Sequence, residues 1–298
     1  MIKRIACILL LVISVINPAK AQQTNNAVIP LNGTWAFKID PNNRGEKQQW
    51  FSNTISTAGW DSMSVPGNWD THNEYTHYVG KGWYRRTISV PQQWKGKAVF
   101  LTFEGVYHDS KVWVNGKQVG TNNSGYLPFE MEVSKWLTAG KNTITVSADN
   151  TVRLGAVWNW GGIRRPVTLT ESPAVRIVRQ HITPVVNLQN NTATIAVKLF
   201  IQNTTSQQKT VSGTVLLNKA NLYNRSLAFN TTVPANSSKE LTVNTDVNSN
   251  EMHLWHFDDP FLYDCTSTIR NANEAPQQVH NRFGLARLKW TIQIIPSN

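Results

Sequence analysis

The sequence predicts an all-β protein built as two consecutive β-sandwiches. Three observations predict it. Helical periodicity is almost absent, and short alternating apolar segments recur in its place, separated by Gly, Asn, Pro and Ser. Turn dipeptides punctuate these segments; Asn115-Gly116 is the strongest, because both central residues tolerate the positive φ a tight hairpin demands. The composition then changes near Ser172-Pro173. Ten of the twelve tryptophans lie between Trp35 and Trp160, whereas Asn and Thr dominate the segments that follow.

The first element is a leader. Lys3 and Arg4 precede an apolar run from Ile5 to Ile16, and Ala19-Lys20-Ala21 supplies a small-x-small cleavage site. Residues 1–21 therefore read as a secretory signal peptide cut before Gln22, which places the mature chain outside the cytoplasm, secreted or periplasmic. Cys7 stands at the start of the apolar run, whereas a lipid-anchored cysteine would follow it, so soluble export is expected. No later run is long and charge-free enough for a membrane helix, and no membrane association is expected after cleavage.

The first set of strands occupies residues 28–172. It includes GTWAFKI, GWYRRTISVP, KAVFLTFEG, DSKVWVNG, YLPFEMEV, KNTITVSAD and RPVTLTE. In KVWVN, Val112 and Val114 point to one face and Trp113 to the other, so one packed and one free face are expected. The second set occupies residues 173–290 and includes VRIVRQHITPVV, NTATIAVKLFIQN, KTVSGTVLLN, SLAFNTTVP, KELTVNTDV, LYDCTSTIRN and VHNRFGLARL. About seven short strands in this length match an immunoglobulin-like sandwich. Residues 291–298 form a tail. Cys265, the one cysteine beyond the leader, lies in the strand-like FLYDCTSTI and reads as a buried structural thiol.

The formal net charge is +11, but Lys3, Arg4 and Lys20 belong to the leader, and no basic block exceeds Arg85-Arg86 or Arg164-Arg165. Scattered cations in an exported protein serve solubility, so nucleic acid is not an expected partner.

VPGNWD (65–70), GKGWYRRTISVP (80–91), VFLTFEGVYHDSKVWVNGKQVG (99–120), SGYLPFEMEV (124–133) and NWGGIRRPVTL (159–169) resemble, in order and spacing, the amino-terminal sugar-binding domain of glycoside hydrolase family 2. LWHFDDPFLYDCTSTI (254–269) and NRFGLARL (281–288) resemble that family's immunoglobulin-like domain, although the usual Phe-Gly-x-Arg is shifted, with Ala286 before Arg287. The resemblance implies a galactose-binding-like jelly-roll sandwich followed by an immunoglobulin-like one. It also implies a β-galactosidase-like, β-glucuronidase-like or β-mannosidase-like context.

The catalytic carboxylates of such enzymes sit in a (β/α)₈ barrel, which needs about 250 residues. Eight residues follow Trp290, so the barrel is expected to lie outside this chain and the chain alone to be inactive. Retaining glycosidases need two carboxyl groups about 5–5.5 Å apart. Asn73-Glu74, Asn250-Glu251 and Asn273-Glu274 fall in polar loops, and Asp258-Asp259 beside Pro260 reads as a turn. His72, His77, His253 and His256 lack a ligating pattern. No catalytic residue, metal or cofactor is therefore expected.

Sugar rings stack their C–H faces on aromatic side chains and satisfy their hydroxyls with amides and carboxylates. Loops carrying Trp69, Tyr107, Asn150, Trp158 and Trp160 offer both, and the resemblance carries Asp149 over as a residue facing the sugar. The expected partners are a β-glycoside and a barrel on a separate domain or chain. A free-standing carbohydrate-binding protein and a structural or adhesive surface protein are the alternatives.

Overall fold

The computed structural model describes residues 27–152, 159–271 and 274–286. Residues 1–21, expected as a leader, Trp158 and residues 291–298 lie outside them. Every regular element among the described residues is a β-strand or a single 3₁₀ turn.

In the first sandwich a six-stranded antiparallel sheet runs, edge to edge, Asp61–Val65, Gly33–Asp40, Lys81–Val90, Gly140–Asp149, Asp109–Val114, Lys117–Asn122. A four-stranded sheet of Val28–Pro30, Val167–Ser172, Ala98–Phe103 and Phe129–Glu132 closes it. Trp35, Phe37, Tyr84, Val112, Val114, Ile144 and Val146 from the large sheet share one core with Leu101, Phe103, Val167 and Leu169 from the small one. The Asn115-Gly116 turn forms as its chemistry predicts, with φ of 50° and 77°.

The expectation of a free face on KVWVN fails. Trp113 is only 3% exposed. The segment between Asp40 and Asp61 folds across the outer face of the large sheet. Phe51 stacks on Trp113 at 5.1 Å, Trp113 stacks on Trp83 at 5.1 Å, and Trp50 meets Trp83 edge-on at 5.9 Å. Asp40 anchors this cover, accepting the N–H groups of Arg44 (2.7 Å), Gly45 (2.9 Å) and the Trp83 indole (3.1 Å). A strand whose two faces both carry apolar side chains is buried on both, and the alternation therefore reads as core on either side.

The second sandwich has the seven strands expected of an immunoglobulin-like domain. Val175–Asn187, Thr192–Asn203 and Ser237–Val247 form one sheet; Tyr223–Val233, Lys209–Lys219, Tyr263–Arg270 and Gln277–Phe283 form the other. Along Thr192–Asn203 the alternate residues Ile195, Val197, Leu199 and Ile201 are fully buried, and they meet Val211, Val215, Leu217, Cys265 and Ile269. Cys265 is buried and unpaired, and burial pushes its thiol up to about 12.

Only Pro173 and Ala174 separate the last strand of the first sandwich from the first of the second. Arg176 bridges the junction. Its guanidinium lies 3.4 Å from the centroid of Phe100 and pairs with both carboxylate oxygens of Glu130 on the first sandwich. Gln202 Oε1 accepts from its Nε and Nη2 at 3.1 and 3.0 Å. Arg176 is 9% exposed, so this is a largely buried clamp between the two units.

Candidate functional site

One end of the first sandwich gathers most of the predicted sugar-facing residues. Register places Asp149 opposite both Lys81 and Asp109, at the same end of the large sheet. Around it converge the loop after Asp149, the two 3₁₀ turns Trp69–Thr71 and Asn73–Tyr75, the Tyr107–Asp109 segment and the Ser124–Pro128 turn. The small ladder of Val106–Tyr107 with Gly162–Ile163 ties these loops together.

Asp149 caps its own loop. Its Oδ1 accepts the Thr151 N–H at 3.0 Å and the Thr151 hydroxyl at 2.7 Å. Its backbone carbonyl accepts the His108 N–H at 3.1 Å. Asp149 Oδ2 takes no hydrogen bond from the described residues, so half of the carboxylate remains available to a ligand. Trp160 is 43% exposed and offers a ring.

Three predicted contacts are corrected by burial. Trp69 is completely buried, with its indole N–H directed to the Tyr78 carbonyl at 3.3 Å and its ring packed near Phe37 and Tyr78. A ring with no exposed face cannot stack on a sugar; Trp69 plugs the end of the core. Gly161 exists because of it, since a Cβ there would lie 1.9 Å from the indole. Tyr107 is likewise fully buried, its hydroxyl 2.5 Å from Asn159 Oδ1 and 3.1 Å from the Val152 carbonyl. Asn150 is 2% exposed. Its Oδ1 accepts the Gly80 N–H at 2.8 Å, and its Nδ2 lies 3.4 Å from the Tyr78 carbonyl and 3.3 Å from that of Asn159. All of its hydrogen-bonding capacity pins three loops to one another. Trp158 lies outside the described residues.

Two residues not among the expected sugar-facing ones join the cluster. Tyr126 is 43% exposed and meets Tyr107 edge-on at 5.5 Å. Arg164 places its guanidinium 5.5 Å from the Tyr107 ring and 5.6 Å from that of Tyr126. The one available signal was an aromatic directly after the Ser124-Gly125 turn, where a side chain is pushed outward.

Apart from Asp149 Oδ2, the acids at this end are engaged within the protein. Burial raises the Asp70 carboxyl above its usual value, opposed by the Gly161 N–H that it accepts at 2.9 Å and by the field of Arg164. Asp109 pairs with His108 Nδ1 at 2.9 Å. In the second sandwich, Asp258 and Asp259 each face a histidine, His256 at 3.3 Å and His253 at 2.5 Å. These are capping and pairing roles; a proton donor opposed to a nucleophile across a glycosidic oxygen is a different geometry. Among the described residues, no group of three or more His, Cys, Asp or Glu gathers to hold a metal. The site can stack a ring and bond its hydroxyls.

Residues 28–173 match the family model described as the sugar binding domain of glycosyl hydrolases family 2, and residues 175–285 match a second model of glycosyl hydrolases family 2. The chain belongs to glycoside hydrolase family 2. Among curated family-2 relatives, a β-glucuronidase of Formosa agariphila is 25% identical over 270 residues, 76% of this chain and 27% of its own length. A β-galactosidase of Priestia megaterium is 30% identical over 175 residues, 49% of this chain and 17% of its own. The solved β-glucuronidase of Bacteroides uniformis superposes with a TM-score of 0.75 at 23% identity, covering 87% of this chain and 32% of that one. The chain thus spans about a third or less of the length of these family-2 proteins, and the match with the solved structure is one of fold.

Proposed function

We propose that this chain is the non-catalytic front end of a family-2 glycosidase. The first sandwich helps to bind a β-glycoside, and the second braces a catalytic barrel carried outside these residues. One observation carries the reading: a loop cluster within the matched sugar-binding domain holds exposed Trp160 and Tyr126 and an oxygen of Asp149 that no described residue bonds. A preformed surface with few ring platforms and placed polar atoms suits a sugar. The names of the relatives make a β-galactoside or a β-glucuronide the substrate class. The leader makes export to the periplasm or beyond part of the same proposal.

The bracing role draws on the far end of the second sandwich. Phe257 is 83% exposed there, beside the bridge between Leu254 and Leu285. Leu254 nearby is 37% exposed, and exposed apolar side chains grouped in this way suit a contact with another domain.

The test is direct. The purified chain leaves aryl β-glycosides intact, yet methyl β-galactoside or β-glucuronide gives a saturable calorimetric titration that Asp149→Ala weakens by about tenfold, one hydrogen-bonded carboxylate being worth about that much. Turnover abolished by replacing a single internal Glu would overturn the reading. So would no heat from either glycoside at millimolar concentration.

A further inference from the structure

We infer that Asn150 is the positioning residue of this site: it touches no ligand itself, and its side-chain amide sets where the Trp160 ring stands. The inference rests on the carbohydrate reading above and names the residue on which its ring platform depends.

The large sheet ends at Asn150. The last pair in the ladder between Gly140–Asp149 and Lys81–Val90 is Asp149 with Lys81. One step on, the Asn150 backbone N–H still donates to the Gly80 carbonyl at 3.2 Å. The return bond is made differently. The Gly80 N–H donates to the side-chain Oδ1 of Asn150 at 2.8 Å, where a continuing ladder would use a main-chain carbonyl. The side chain stands in for the backbone, so the chain leaves the sheet here with the pairing of Gly80 complete.

The same amide reaches the point of return. The segment that leaves at Thr151 comes back at Asn159, whose carbonyl lies 3.3 Å from Asn150 Nδ2; the Tyr78 carbonyl lies 3.4 Å from the same nitrogen. One N–H donor and two carbonyl acceptors fix the orientation of the amide, because only Oδ1 can receive Gly80 and only Nδ2 can serve the carbonyls. Trp160 follows directly, and the peptide groups on both its sides are held. Asn150 holds the Asn159 carbonyl; Asp70 Oδ2 accepts the Gly161 N–H at 2.9 Å, and the Gly161 carbonyl accepts the Trp69 N–H at 3.1 Å. Asn150 is 2% exposed and Trp160 43% exposed, so a ring on the surface is aimed by an amide that a ligand cannot reach. A binding group works only within about 0.5 Å of its productive place, and Asn150 therefore acts on affinity through Trp160.

Asn150→Asp isolates this role. It keeps the size and the acceptor for Gly80, but a carboxylate has no donor and sets an oxygen against the carbonyls of Tyr78 and Asn159. Two readouts are taken on the full chain, below the melting temperature of each variant: titration with methyl β-galactoside and methyl β-glucuronide, and fluorine NMR of protein labelled with 5-fluorotryptophan, the Trp160 signal being assigned with Trp160→Phe. Folded Asn150→Asp is expected to bind whichever glycoside the wild type binds at least about fivefold more weakly. Its Trp160 resonance should move, while that of Trp94, at the opposite end of the sandwich, stays in place. A merely structural amide would lower the melting temperature and leave the affinity of the folded molecules unchanged. Affinity within about twofold of the wild type, or an unmoved Trp160 resonance, overturns the inference. If Asn150→Asp fails to fold, Asn150→Ser, which is too short to reach both loops, takes its place with the same expectations. Failure of both to fold overturns the positioning role in favour of one in folding. A wild type that binds neither glycoside, with the Trp160 resonance still moved by Asn150→Asp, overturns the carbohydrate reading and leaves Asn150 as the residue that places this ring.

Discussion

Replacing Arg176 by Met tests how the two sandwiches are held. The substitution keeps an apolar stem on Phe100 and removes the charge that faces Glu130. The ion pair lies between two limits. A fully exposed pair is worth about 0–1 kcal/mol, and breaking a fully buried one costs about 3–5 kcal/mol. The Arg176 side chain is 11% exposed and that of Glu130 38%, so the pair is discounted to about 1–2 kcal/mol. The guanidinium over Phe100 adds about 1 kcal/mol. The coupling between the units is then about 2–3 kcal/mol. Each unit carries its own probe. Ten of the twelve tryptophans lie in the first, and Cys265 is the one cysteine of the second. Urea unfolding of a chain starting at Gln22 can therefore be followed by tryptophan fluorescence for the first sandwich and thiol labelling for the second. Arg176→Met is expected to lower the midpoint of the less stable unit by about 1 M, taking a slope of about 2–3 kcal/mol per M. A double-mutant cycle with Glu130→Gln should return about 1–2 kcal/mol of coupling. Both transitions unmoved, with a coupling below about 0.3 kcal/mol, would show that the clamp contributes nothing and would refute the ledger.

Two further predictions concern packing and pH. Gly161→Ala forces a Cβ to within 1.9 Å of the Trp69 indole, and overpacking of this kind costs about 2–3 kcal/mol. The fluorescence-detected Tm should fall by roughly 5–10 °C, and a change below about 1 °C would contradict the assigned role of Trp69. At Glu251, burial works against the charged form, but hydrogen bonds from the Asn248 N–H and from Arg225 prevail and hold its carboxyl below 4.5. A depressed folded value means that its contribution is complete above 4.5 and is lost as pH falls through that lower value. Glu251→Gln should therefore destabilise most at neutral pH and converge with the wild type as pH falls below the depressed folded value, in urea midpoints; a gap independent of pH would sink this assignment.

Much of the fold was legible because its determinants are local. Alternation along TATIAVKLFIQN specifies a half-buried strand with no knowledge of its partners, and Asn115-Gly116 specifies its hairpin. The strand Asp61–Val65 was missed, because DSMSV is polar and sits at a sheet edge where alternation is weak. Trp113 was placed on a free face because the cover that buries it begins more than fifty residues earlier, at Phe51. The candidate site was legible as a set of loops, which the structure gathers at one end of the first sandwich, but not which rings face outward. Trp69 and Trp160 both flank turns in the sequence, yet one is completely buried and the other 43% exposed.

The sequence by itself determined the periodicity, the turns, the two-part division and the family, since each of these is written in the spacing of neighbouring residues. Tertiary structure alone decided the exposure of each aromatic ring and the state of Arg164. That guanidinium acquires its character from Tyr107 and Tyr126, which lie 57 and 38 positions away along the chain and reach it only through strand pairing. Burial and charge depend on what long-range packing brings alongside, and residue spacing carries no record of it.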